Sequence, residues 1–228
     1  MKIHSRKYEI LFFSVIFFSC IAPPFMVSAR SADPGMFSEW NLPVRKLALA
    51  LFAGAVLVTA PRGDAAEAGG RKTGSGVFRT TIAPALVTLC ALLASSAAVT
   101  ALSSAAEIPF GSGITVNPPQ GPSQTAFCIM NFMAAAFYEE VIYRFYFPDA
   151  LRRIFRTERH GRTAAALCET AGLAAFAAAH SYLGAPSVIN AAAAHITLRL
   201  CMKRAHNIRA GTSAHFLYNL ISLYLLRI

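Results

Sequence analysis

Glu139-Glu140-Val141-Ile142-Tyr143-Arg144 is the stretch on which the reading of this chain turns. It lies inside an apolar run, about Gln124 to Phe147, long enough to cross a membrane. A charged side chain at membrane depth costs roughly 2.5–3.5 kcal/mol on insertion scales. Two adjacent acids and an arginine are kept there when they pair with one another, line a cavity or do chemistry. Two further polar sets follow on later apolar runs: Phe176 to His180, and His215 to Asn219.

The rest of the sequence agrees with a membrane setting. Of 228 residues, 55% are hydrophobic and 14% charged, against about 25% charged in a soluble domain. Mean hydropathy is +0.48. Seven apolar runs are visible, at about Ile10 to Val27, Leu42 to Pro61, Ile82 to Ala106, Gln124 to Phe147, Thr163 to Tyr182, Pro186 to Met202 and Thr212 to Leu226. The expected fold class is all-α, a polytopic membrane protein with a bundle of about six or seven transmembrane helices. Residues 1–123 would supply N-terminal membrane helices, and residues 124–228 a catalytic helical core holding all three polar sets.

Two runs are ambiguous. The first reads as a retained helix, but Val27-Ser28-Ala29 also suits signal-peptide cleavage, and Pro23-Pro24 would break a helix there. In the second, the uninterrupted core from Leu47 to Ala60 is short for a crossing, and Arg45 and Lys46 would snorkel at its end. Pro148 should end or bend the fourth run.

The formal net charge of +10 does not point to nucleic acid, because the basic residues sit at the ends of apolar runs. Connections 62–79, 152–162 and 203–209 are rich in lysine and arginine, whereas 107–123 and 183–186 have none. The alternation places the basic loops in the cytoplasm. A basic and apolar start fits a bacterial inner membrane. The lipid bilayer is then the surrounding partner. Cys20, Cys90, Cys128, Cys168 and Cys201 are widely spaced and form no CxxC pair, so they read as packing residues. No internal repeat is evident.

Helix geometry divides the polar residues. Neighbours on an α-helix point about 100° apart, so Glu139 and Glu140 cannot face one spot. Glu140 and Arg144 are i and i+4 and can pair. Glu139 is left without a local partner, as suits a general base that activates water. His215 and Asn219 are also i and i+4, and both offer N–H donors that could stabilise an oxyanion. His180 follows Phe176 by one turn and could share or orient the water. His195 and Glu169 lie outside these sets and read as interhelical polar contacts or cavity lining. His160 and His206 lie in basic loops and read as solvated.

Glu-Glu-x-x-x-Arg, Phe-x-x-x-His and His-x-x-x-Asn, in that order and on separate apolar runs, resemble the CPBP family of CAAX-protease and bacteriocin-processing (ABI) intramembrane endopeptidases. The likeness runs from about Gln124 to Leu226. It implies a glutamate-dependent peptidase needing neither metal nor cofactor, acting on a peptide or protein at the cytoplasmic side. Glu139 and His180 would activate water, His215 and Asn219 would form the oxyanion hole, and Glu140, Arg144 and Phe176 would support the site. Three other readings stay open: a silent immunity or scaffold protein, a proton-coupled carrier, and a zinc peptidase using Glu139, His180 and His215 as ligands. One feature fits poorly. Straight helices put His180 nearer the outer face than Glu139, unless the chain tilts, breaks or re-enters between Pro148 and Thr163.

Overall fold

The computed structural model describes residues 6–26, 40–59, 76–108 and 118–226, and these are helical with short connections. The helices are α1 (Arg6–Ile16), α2 (Pro23–Met26), α3 (Val44–Thr59), α4 (Ala83–Ala105), α5 (Gly121–Glu139), α6 (Phe147–Ile154), α7 (Thr157–Ala178), α8 (Ala185–Ala205) and α9 (Ile208–Ile221). The candidate cleavage site at Val27-Ser28-Ala29 and most of the two loops assigned to opposite sides, 62–79 and 107–123, lie outside the described residues.

Among the described residues, two continuous helical runs are long and apolar enough to cross a bilayer: Phe78–Ala105 and Gly121–Ile154. The expected six or seven spans are not reached by that measure, for local reasons. Helix α3 has 16 residues and α9 has 14, fewer than the roughly 20 that a span needs. Helix α7 opens on charged residues, and α8 carries Arg199, Lys203 and Arg204.

Sequence explains where several elements begin. The side chain of Asn207 caps α9 by accepting from the backbone N–H of Arg209 at 2.9 Å. Gly184, with φ of 93°, turns the chain into α8, where Pro186 occupies the first turn. Small residues let the helices approach closely. Ala134, Ala135 and Ala136 on α5, Ala191 on α8, and Ala210 and Ala214 on α9 are buried.

The fourth run departs from expectation. Pro148 does not end it. After α5 the helix widens into a π-helical segment, Glu140–Tyr146, and continues as α6 to Ile154. The proline sits in the first turn of α6, where its missing N–H is tolerated, and the widening before it is the form a π insertion takes inside a longer helix. Of the tilt, break or re-entrant stretch left open between Pro148 and Thr163, the structure shows a break. Arg156 has φ of 48°, and Gly161, with φ of 77° and ψ of −170°, interrupts α7. His180 and Glu139 come within electrostatic reach of each other despite the spacing of their runs.

The π segment is the centre of the bundle. Val141, Ile142, Tyr143, Tyr146 and Phe147 form one apolar cluster with Ile16, Ile21, Val56 and Phe176. Helix α5 packs on α3 and α9, α9 also on α4 and α8, and α7 on α6 and α8. The first run belongs to this core: Tyr138 donates to the Cys20 carbonyl at 2.9 Å, and Phe13 stacks on Phe147 with centroids 5.6 Å apart. All five cysteines are free; Cys90 is exposed on α4 rather than packed inside.

Candidate active site

The three sequence motifs converge. Glu140 and Arg144 are both fully buried, and Arg144 Nη1 lies 3.2 Å from Glu140 Oε1. This is the i, i+4 ion pair the sequence predicts, held across the π segment, and it lacks the alignment of a hydrogen bond. The other face of the guanidinium lies on Phe176, with Cζ 3.8 Å from the ring centroid. A desolvated cation over an aromatic face is worth about 2 kcal/mol. Phe176 also touches Tyr143, His180 and His195, at centroid distances of 5.3, 4.7 and 5.6 Å. The phenylalanine is thus a platform on which α7 gathers groups from the π segment and α8.

His180 ends α7. Its Nδ1 donates to the Phe176 carbonyl at 2.9 Å. A carbonyl only accepts, so the bond places the proton on Nδ1 and leaves Nε2 as an acceptor. That nitrogen is free to receive a proton from water.

His215 reaches both acids. Its Nδ1 lies 3.0 Å from Glu140 Oε1, and its Nε2 lies 3.7 Å from Glu139 Oε2. One imidazole from α9 thus stands between the carboxylates of the two neighbouring glutamates. Helical spacing pairs Glu140 with Arg144 alone; the fold adds His215. Glu139 keeps some access to solvent, with its side chain 17% exposed, whereas that of Glu140 is 1% exposed. The charges of His215, Lys46, His180 and Arg144 act on Glu139. Asn219 is one turn beyond His215 and half-buried, and its side chain makes no hydrogen bond among the described residues.

Several contributors were not legible. Lys46, sent to the membrane surface by the sequence reading, is half-buried within electrostatic reach of Glu139. Gly211 lies one turn before His215, and a Cβ there would stand 3.0 Å from Glu140 Oε2. Its missing side chain makes room for the carboxylate. Glu169 makes the interhelical polar contact expected of it, whereas His195 makes no polar contact among the described residues. Glu169 binds Arg152, Arg199 and Lys203 at 2.7, 2.8 and 2.9 Å. His195 is buried against Phe176 with both ring nitrogens unpartnered. Arg199 passed unnoticed, although an arginine inside an apolar run signals a buried acid nearby. Among the described residues, no three histidine, cysteine, aspartate or glutamate side chains converge as metal ligands.

An acid pair, an oriented histidine and a second histidine with an amide, collected inside apolar helices, suit hydrolysis by activated water. Comparison with known proteins points the same way. Residues 121–221 match the family described as Type II CAAX prenyl endopeptidase Rce1-like. No curated protein and no solved structure gave a match. The matched segment starts with α5 and ends with α9, so it contains all three motifs, and over residues 121–221 the chain carries an Rce1-like domain of the type II CAAX prenyl endopeptidases, the CPBP family.

Proposed function

We propose that the chain is an intramembrane endopeptidase that hydrolyses a peptide bond by glutamate-activated water. The supporting observation is that Glu139, alone of the acid pair, is partly open and is met by His215 at 3.7 Å while His180 acts on its charge. In this reading Glu139 takes a proton from a water held by the free Nε2 of His180. The water oxygen attacks the substrate carbonyl carbon. The resulting oxyanion is met by N–H donors from His215 and Asn219. Glu139 then returns the proton to the departing amine as the C–N bond breaks, giving a new carboxyl and a new amine end. Glu140 and Arg144 hold His215 in place.

The family description supplies the substrate class for a first test: a peptide ending in a prenylated CAAX sequence. Residues 1–123 would serve as membrane helices and 124–228 as the catalytic core, in a bacterial inner membrane with the basic loops inside. The test uses the purified full chain in lipid, an internally quenched prenyl-CAAX peptide, and an unprenylated peptide library. Wild type should cleave after exhaustive chelation, with metal content checked by elemental analysis. Glu139→Gln should fold and lose roughly 100- to 10,000-fold in kcat, the range of a lost general base. Full activity in Glu139→Gln would sink the assignment. Activity lost on chelation and restored by stoichiometric zinc would recast Glu139, His180 and His215 as ligands.

A further inference from the structure

We infer that Arg199 is a positioning residue for the acid pair, holding the π segment that carries Glu140 and Arg144 by donating to the Arg144 backbone carbonyl. The role in catalysis rests on the peptidase reading above; the geometry does not.

The need for such a group is written in the chain. In an α-helix the carbonyl of residue i accepts from the N–H of residue i+4. For Arg144 that residue is Pro148, which has no N–H. In the π register Asp149 is the remaining backbone donor; because a buried carbonyl left unpaired costs about 1–3 kcal/mol, a side-chain donor at this oxygen is favourable. Arg199, on α8 and 6% exposed, sends Nη1 to the Arg144 oxygen.

The rest of the guanidinium is fixed. Nε donates to Glu169 Oε2 at 2.9 Å and Nη2 to Glu169 Oε1 at 2.8 Å, a two-pronged grip from α7. Nη2 also donates to Asp149 Oδ1 at 2.9 Å, immediately after the proline. One planar fork therefore ties α8 to α7 and to both sides of Pro148. A lysine could not make these bonds together.

The carbonyl it holds belongs to a residue of the site. The side chain of Arg144 pairs with Glu140 at 3.2 Å, Glu140 meets His215 at 3.0 Å, and His215 faces Glu139 at 3.7 Å. A shift of the Arg144 backbone passes along three contacts to the proposed base. Proline removes the ordinary α bond at this position, and Arg199 fixes where the carbonyl goes instead. Together they select the widened segment.

The experiment compares Arg199→Met, Pro148→Ala and the double variant of the full chain in detergent. Readouts are the imidazole ¹⁵N resonances of His215, assigned with His215→Asn, and kcat and KM on the best-cleaved peptide. Arg199→Met should move the His215 resonances. It should lower kcat on the order of 10- to 100-fold, as expected for a misplaced reacting group. KM should stay within about twofold, since the binding surface is untouched. Pro148→Ala restores a backbone N–H at 148, so the double variant should recover part of both effects. A role in packing alone would not give that rescue. Unchanged His215 resonances in Arg199→Met, or no recovery in the double variant, would overturn the inference. If Arg199→Met does not fold, Arg199→Lys takes its place in the same comparison. If wild type cleaves no peptide, the resonance arm still decides, and only the peptidase reading falls.

Discussion

The imidazole of His215 links the two glutamates: Nδ1 stands 3.0 Å from Glu140 and Nε2 3.7 Å from Glu139. One ring from α9 thereby joins a fully buried acid, already paired with Arg144, to a partly open one. In the proposed mechanism the buried acid fixes the ring and the open acid is left for substrate, which would give two neighbouring residues of the same type a support role and a reacting role.

The support role of Glu140 predicts a stability effect. Glu140→Gln removes the only carboxylate within ion-pair distance of the buried Arg144 guanidinium among the described residues. Breaking one side of a buried ion pair costs roughly 3–5 kcal/mol. Thermal unfolding in detergent should show a marked fall in midpoint. An unshifted midpoint would mean that Arg144 is satisfied by Phe176 alone.

His180 is predicted to matter for rate rather than for folding. Its bond to the Phe176 carbonyl orients the ring but is local to one helix end. His180→Ala should lower kcat roughly 100-fold or more, in the range of a lost proton-transfer partner, with little change in unfolding midpoint. Equal losses in midpoint and rate would indicate that the ring is chiefly a packing element on Phe176.

Gly211 tests how closely α9 must approach the acid pair. A Cβ at this position would lie 3.0 Å from Glu140 Oε2, and the other oxygen of that carboxylate is held by Arg144 and His215. Gly211→Ala should destabilise by about 1–3 kcal/mol, the usual cost of overpacking, despite the better helix propensity of alanine. A more stable Gly211→Ala protein would show that the carboxylate can shift.

The topology reading places the connection around Arg156 in the cytoplasm and that around Gln120 outside. With the native cysteines replaced, single cysteines at these two exposed positions should label from opposite faces of sealed vesicles. Labelling from one face would remove the case for a spanning catalytic bundle.

Composition and local spacing were enough to determine an all-helical apolar chain, the i, i+4 pairing of Glu140 with Arg144, and the separation of Glu139 from Glu140. Each of these depends only on the 3.6-residue turn and on the cost of charge in lipid. The order of the three motifs on three apolar runs was also legible, because it is a property of the chain. Tertiary structure decided the rest. The continuation past Pro148 depends on a donor, Arg199, that lies 55 residues away in the chain. The bridge from His215 to both acids, the platform under Arg144 at Phe176 and the clearance at Gly211 all join different helices. Such contacts are set by how small-residue faces let helices close on one another, and a periodic pattern in one helix carries no information about which side chain of another will face it.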